Sequence, residues 1–521
     1  MPLVRQKALI PIAALVTIAL FFWCIDRYDR ASLLNFRHPV DKVPAEKNQA
    51  QVQLHPQKLP QTCDFDPASA PPLPFTEWLV RKNYTRAYIR PRHVDSHTEF
   101  KSMEEIPVQV LPEFRALERG IRISKENQDP TLPCPPVVDV DVAAELEPDN
   151  TEQMLFGAAT TAERLDRLLP SLLYSFGSTK ASLLILVPES DDDLELQQTY
   201  FRNRGLDITL KSSPLEFTAR YFGLVEAFTE HIKNERPNTT WVGWIDDDTF
   251  FLDLAAVAEQ LSQFDATEKH YIGSLSEASW QVDHFGHIAF GGAGVFVSKP
   301  LLAKLKVAYD ECQAFGEQPG DQKLAQCIQR FGDTPLTLWP SLYQMDMKGA
   351  PDGVYESGRK IDTLHHWGSW YTKDVVKMST VSAAAGRRSV LRRWIFDQSI
   401  NVDNTTGTST KSFHVLTNGY SIVKYTLDKN TPDDAINFDY TEHTWDEDPR
   451  GYEQRLGPLR PVVQEGVEKE RWMMAESLVV GDNVHQFYTR EADDTHSVIE
   501  LVWLGPQGGG GAGVGGTHVV G

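Results

Sequence analysis

The sequence predicts an α/β fold on a mostly parallel sheet, with an apolar segment and a proline-punctuated stretch before it and a small β-rich region after it. Three observations predict this. From residue 153 the chain alternates short apolar runs with amphipathic ones, the rhythm of βαβ units. Three consecutive aspartates, Asp246, Asp247 and Asp248, leave from the end of one apolar run, and ligands gather at the carboxyl ends of strands in open α/β sheets. Past residue 380 the apolar runs are short and separated by Asn, Gly, Thr and Asp, as between antiparallel strands.

In chain order, residues 8–25 carry no charge and follow Arg5 and Lys7. At the helical rise this stretch covers about 27 Å, enough for a thin secretory-pathway bilayer. The expected organisation is a cytosolic tail at 1–7 and a transmembrane signal anchor at 8–25, the basic pair favouring a cytosolic N-terminus. The competing reading is a cleaved signal peptide, but no small-x-small cleavage site follows the apolar run. Residues 26–150, broken by Pro71-Pro72-Leu73-Pro74 and Pro133-Cys134-Pro135-Pro136, read as a stem, parts of which are apolar enough to pack on the main body. The main domain is expected over 151–379. It has strands at 154–160, 183–187 and 241–245, an amphipathic run carrying Leu165, Leu168, Leu169, Leu172 and Leu173, and a helix at 221–233. Residues 380–504 form the β-rich accessory region, and the glycine-dominated 505–521 a flexible tail.

The formal net charge is -21, with 72 acidic against 51 basic side chains, which excludes a general nucleic-acid binder because phosphate requires a positive surface. Sequons at Asn83, Asn238 and Asn404 suit exposure to the secretory lumen. Outside the apolar segment stand Cys63, Cys134, Cys312 and Cys327, an even set suited to two bridges in an oxidising compartment. The favoured pairing is Cys312 with Cys327 and Cys63 with Cys134. Closing the loop between 312 and 327 is worth about 3 kcal/mol in loop entropy. Metal ligation by these thiols is disfavoured because no C-x-x-C pair occurs.

Asp246, Asp247 and Asp248 repel one another unless solvated or paired with a cation, and oxygen ligands of this kind suit Mg2+ or Mn2+. An acidic turn after a strand is the plainer alternative, which the apolar flanks on both sides disfavour. Neither an EF-hand loop nor a phosphate-cradling G-x-x-x-x-G-K-[ST] motif occurs, so a nucleotide diphosphate would be held mainly through the cation. Gly291-Gly292-Ala293-Gly294 opens into an apolar strand; such small residues let a sugar or phosphate approach the backbone, or mark a plain turn. Asp321, after Pro319-Gly320, has the spacing of a helix N-cap, with a general base as the alternative. His365 and His366, followed by Trp367 and Trp370, supply imidazoles for a cation and aromatic faces for sugar rings, or serve only packing.

Taken as an ordered series, these motifs over residues 154–371 resemble glycosyltransferase family 31 and its Fringe-like relatives, most closely the fungal ones: D-D-D at 246–248, G-G-A-G at 291–294, P-x-D at 319–321 and L-H at 364–365. The resemblance implies a GT-A-type nucleotide-sugar-binding fold and an inverting, metal-dependent hexosyltransferase or N-acetylhexosaminyltransferase. It moves a sugar from a UDP-sugar to a glycan, glycoprotein or glycolipid acceptor, mostly in β1,3 linkage, with Mn2+ or another divalent cation. It implies Asp246, Asp248 and His365 as metal ligands and Asp321 as the catalytic base. Asp246, Asp247, Thr160, Thr161, Arg164, Gly291, Gly292 and Gly294 are the implied donor-binding set. The Fringe pattern carries two adjacent aspartates where this chain has Gly320-Asp321. With the apolar N-terminus, the expected setting is a single-pass type II protein of the Golgi membrane with a lumenal catalytic domain. The competing function is a catalytically silent, lectin-like or scaffolding protein of the same fold. Oligomeric state, donor sugar and acceptor are not legible.

Overall fold

The computed structural model describes residues 83–106, 110–111, 114–116, 137–191, 193–347, 351–403, 405–432, 466–492 and 495–505. Around the three aspartates lies a seven-stranded sheet in the order Leu336–Leu338, Tyr271–Gly273, Val295–Ser298, Trp241–Trp244, Met154–Ala159, Ser182–Pro188, Ile208–Ser213. All run the same way except Val295–Ser298, which is antiparallel to both neighbours.

The strands are apolar on both faces because helices cover both. Leu155, Leu184, Val242 and Trp244 pack with the helix Phe217–Asn234 on one side. Phe156, Leu183, Ile185 and Trp241 pack on the other with Leu165, Leu172 and Phe176, from the helices Ala162–Arg167 and Leu169–Phe176. The amphipathic run read from the sequence is thus divided at Leu168, just ahead of Pro170, whose missing N–H suits the first turn of the second helix. Gly157 sets the first layer's spacing: a Cβ there would fall 2.4 Å from the Phe228 ring of the long helix.

A ten-stranded sheet forms the second layer. Its central strands are Arg393–Val402, Ser409–Thr417, Ser421–Asp428, Val467–Val480, Asn483–Ala492 and Thr495–Trp503, each antiparallel to the next. Asn83–Val94 then joins Thr495–Trp503 in parallel, and Val137–Ala143 pairs with Asn83–Val94. This corrects the stem expected over 26–150, part of which is sheet. The signal was present in Val137–Ala143, whose residues alternate exposed and buried with period 2, but the flanking prolines hid it. Trp394, Ile422, Tyr488 and Leu501 of this sheet share one core with Phe250, Leu252, Tyr343 and Leu364.

The structure pairs Cys312 with Cys327, with Cα atoms 5.6 Å apart. Cys63 and Cys134 lie outside the described residues. Asn238 is exposed, whereas Asn83 is a half-buried strand residue beside buried Thr85, and Asn404 lies outside the described residues. The expected single-pass type II Golgi topology is corrected: among the described residues no helix is long and apolar enough to cross a membrane. The apolar segment at 8–25 lies outside them.

The parallel seam buries a charge network. Arg86 stands opposite Glu500 and donates from Nε to Oε2 at 2.6 Å, the Tyr84 hydroxyl donates to the same oxygen, and His485 Nδ1 lies 2.7 Å from Oε1. Burial alone would raise the Glu500 pKa, but the Arg86 charge and the His485 and Tyr84 hydrogen bonds hold it down to about 2. A carboxylate depressed in this way stabilises the fold at neutral pH. Its contribution fades as pH falls from the ordinary glutamate value of about 4.3 towards the folded one. Glu500→Gln is therefore expected to cost about 3–5 kcal/mol at pH 7, because Arg86 is left buried and unpaired. Urea melts of wild type and variant should show the difference shrinking below pH 4; an equal difference at pH 7 and pH 3 contradicts this account.

Candidate active site

The apolar strand Trp241–Trp244 delivers the three aspartates to the sheet's carboxyl edge. The chain then turns, Thr249 N–H donating to the Asp246 carbonyl and Asp246 N–H to Thr249 Oγ1, and Thr249 Oγ1 donates in turn to the carbonyl of Gly292 at 3.0 Å. Next, Phe250–Phe251 pairs antiparallel with Thr363–Leu364. The residues before Phe250 therefore meet those after Leu364, which brings Asp248 to His365.

The middle aspartate is neutralised within the protein. Arg164 grips Asp247 with two nitrogens, Nη2 standing 2.6 Å from Oδ1, and the buried Thr160 hydroxyl also donates to it. These hydrogen bonds and the charge of Asp247 raise the Arg164 pKa above its usual value. Thr161 caps the helix Ala162–Arg167, accepting from Arg164 N–H, so it sets the direction of Arg164 and reaches no other predicted site residue among the bonds formed here.

Asp246 and Asp248 converge instead on one imidazole. His365 Nε2 lies 3.3 Å from Asp246 Oδ2 and 3.0 Å from Asp248 Oδ1. Its other nitrogen, Nδ1, faces the Gln344 carbonyl at 3.1 Å; a carbonyl only accepts, so Nδ1 carries hydrogen and Nε2 is turned to the carboxylates. Burial disfavours the charged imidazole, yet the two carboxylates outweigh it and hold the His365 pKa well above the ordinary histidine value. Burial would raise Asp248, but His365 and His366, together with the Ser369 hydroxyl at 3.2 Å, hold it down to about 2. Trp367 Nε1 donates to the Asp248 carbonyl at 2.7 Å. Two carboxylates and a buried imidazole with its far nitrogen anchored form a donor set that fits a divalent cation taking oxygen and nitrogen ligands.

His366 lies beside this set. Its ring centroid is 3.7 Å from that of His365 and 3.7 Å from that of Trp370, on which it stacks, and its Nε2 is 3.3 Å from Asp346 Oδ1. One ligand atom each of Asp248, His365 and His366 falls within a 4.8 Å span. Left-handed φ values at His366 (54°) and Met345 (62°), unusual for non-glycine residues, bend both segments at the site.

The glycine cluster is the wall between these histidines and Asp321. A Cβ on Gly292 would lie 2.1 Å from His365 Nδ1, and one on Gly291 2.2 Å from the Tyr221 hydroxyl. Gly294 takes φ +96°, in the region that favours glycine. Gly292→Ala is accordingly expected to displace His365 and weaken Mn2+ binding about tenfold or more, as loss of a ligand's support does. Mn2+ titration of the folded variant checks this, and unchanged affinity refutes it.

Asp321 is not the helix N-cap that its spacing suggested. Pro319 occupies that position in the helix Gly320–Cys327, while the Asp321 carboxylate leaves the helix and accepts from Gly291 N–H at 3.0 Å. Burial, and secondly the negative charge of Asp246, raise its pKa to about 7. The site thus brings together Asp246, Asp248, His365, Gly291, Gly292 and Asp321, with Asp247, Thr160 and Arg164 alongside. Sequence reasoning missed Tyr221 and Gln344. Gln344 also accepts at Oε1 from Ala293 N–H at 2.8 Å, so it ties the histidine segment to the glycine wall. Neither residue lies in a recognisable motif; Tyr221 belongs to an otherwise ordinary buried helix face.

A family model described as a protein of unknown function, DUF604, matches residues 281–420, which include the glycine cluster, Asp321 and His365 but not the three aspartates. The family matched is this one, whereas the motif series resembles glycosyltransferase family 31. Among solved structures, one similar chain is a glycosyltransferase involved in the glycosylation of the major capsid of PBCV-1. It is 17% identical, with 42% of this chain and 95% of that one covered and a TM-score of 0.26. Another is the mannosyltransferase PcManGT from Pyrobaculum calidifontis in complex with GDP-Man and Mn2+. It is 14% identical, with 38% of this chain and 58% of that one covered and a TM-score of 0.26. No curated protein matches the chain. Both of these structural neighbours are glycosyltransferases.

Proposed function

We propose that the chain is a metal-dependent glycosyltransferase that moves a sugar from a nucleotide-sugar donor to a glycan hydroxyl. The observation that carries this reading is the convergence of Asp246, Asp248 and His365 Nε2, across the glycine wall from a carboxylate whose pKa is raised to about 7. The first three suit a cation and its diphosphate; the last suits a base for a hydroxyl at neutral pH. The motif resemblance favours a UDP-sugar, Mn2+, inversion and a β1,3 linkage.

Asp321 accepts the proton of the acceptor hydroxyl, whose oxygen attacks the anomeric carbon from the side opposite the diphosphate. The bond from that carbon to the diphosphate oxygen breaks, and the electron pair leaves with the diphosphate. Asp246, Asp248 and His365 would hold a divalent cation, which would supply electrostatic stabilisation of the leaving charge. Gly291 and Gly292, lacking Cβ atoms, leave room for the Tyr221 hydroxyl and the His365 ring, and Gly291 N–H holds the Asp321 carboxylate. Arg164 neutralises Asp247, so that the two outer aspartates stay available.

The test is incubation of the purified full chain with UDP- and GDP-sugars and a panel of glycan acceptors, with Mn2+ and with chelator. Metal-dependent appearance of product and nucleoside diphosphate from one donor supports the reading. Binding of nucleotide and Mn2+ with neither transfer nor donor hydrolysis across the panel contradicts it.

A further inference from the structure

A second recess opens outside this site, lined by neither Asp321 nor His365 and His366. It has a volume of about 620 Å3, within the range of small-ligand sites, and lies between the segment 282–288 and the helix Gly320–Cys327. Tyr271 and Leu336 line it from the two outermost strands of the sheet on that side.

Two connections join this recess to Asp321. Gln326, in its wall, is five positions further along the same helix, about 7.5 Å of rise. On the opposite wall, Ile288 lines the recess, Ala289 N–H donates to the Tyr271 hydroxyl at 2.9 Å, and Gly291 N–H donates to Asp321. The recess therefore begins about one helical turn past Asp321, at Ala325, and shares two structural elements with it.

Its lining specifies a chemistry. Asp283, His287, Gln326, Gln329 and Thr334 offer donors and acceptors, and Phe285, Pro335 and Leu336 offer apolar surface. Among the described residues that line it there is no lysine or arginine, so it does not suit a phosphate or a nucleotide. Hydroxyl-rich, uncharged ligands with apolar ring faces match this mixture of hydrogen-bonding groups, one of them the Asp283 carboxylate, and apolar surface. At the rim Trp280 is 58% exposed, its ring 6.4 Å from that of Phe285, although an indole of this size is ordinarily buried.

We infer that this recess binds a neutral oligosaccharide, whose sugar units lie over Gln326, Gln329 and His287 and extend towards Trp280. The inference rests on the glycosyltransferase reading for the role of the bound glycan as acceptor. Specificity for the acceptor then resides in residues 280–288 and 326–335, away from the cation site.

The experiment measures binding of mannotriose, chitotriose and galactotriose to the full chain by saturation-transfer NMR and by Trp fluorescence, alongside transfer to the same trisaccharides. It compares wild type with Asp283→Ala/His287→Ala, which removes two exposed side chains, and Gln329→Trp, which fills the recess. One trisaccharide is expected to bind the wild type and to bind both variants about tenfold or more weakly, from lost hydrogen bonds and lost space, while Mn2+ and UDP binding stay unchanged. Equal binding by wild type and variants, or no binding of any trisaccharide to the wild type, overturns the inference. Trisaccharide binding lost in the variants without transfer by any of the proteins upholds the recess as a glycan site and refutes the glycosyltransferase reading instead.

Discussion

Asp248→Ala is expected to lower metal-dependent transfer by about two to three orders of magnitude, the loss typical when one group stabilising the leaving charge is removed. The expectation follows from how little surrounds this site. Asp247 is already committed to Arg164 and Thr160, so it cannot replace its neighbour without breaking a two-point ion pair. His366 is adjacent, but its Nε2 faces Asp346. His365→Ala should act in the same direction, because its Nε2 is the nitrogen that both outer aspartates face. The check is the rate under saturating donor and Mn2+. Asp248→Ala at wild-type rate removes the aspartates from the mechanism.

Asp321→Asn is expected to reduce kcat by about two to four orders of magnitude, the usual worth of a positioned general base, with donor and Mn2+ affinity nearly unchanged. Asparagine keeps an oxygen to accept from Gly291 N–H, so the helix start and the glycine wall are preserved while the proton acceptor is lost. The pH dependence has a definite sign. Asp321 acts only when ionised, and burial and then the Asp246 charge raise its pKa to about 7, so the rate rises with pH through that region and levels off above it. A cation on Asp246 offsets the second of these causes, which moves the inflection down. Loss of transfer together with loss of the inflection in the variant assigns the base; unchanged transfer returns Asp321 to a role in tethering Gly291.

Much of this site could be read in the chain because chemistry and local structure coincide there. Three aspartates directly after an apolar strand, a glycine cluster leading into another and a histidine doublet after a third are all short-range patterns. What was hidden is long-range. Spacing alone put Asp321 at a helix cap, and only the fold reveals that Pro319 takes the cap while the carboxylate turns to Gly291, 30 residues earlier. Tyr221 and Gln344 carry no local mark. The second sheet is closed by a parallel pairing of Asn83–Val94 with Thr495–Trp503, in which Arg86 and Glu500 are 414 positions apart. No periodicity within either segment specifies such a partner, and the prolines nearby argued against a strand.

The most direct test of the account is a Mn2+ titration followed by electron paramagnetic resonance in the presence of UDP, on wild type, Asp248→Ala, His365→Ala and Asp321→Asn. The account predicts one bound ion in the wild type and in Asp321→Asn, and binding weakened about tenfold or more when either ligand is removed. Equal Mn2+ affinity in all four proteins would contradict it, because Asp246, Asp248 and His365 would then not be the groups that hold the cation.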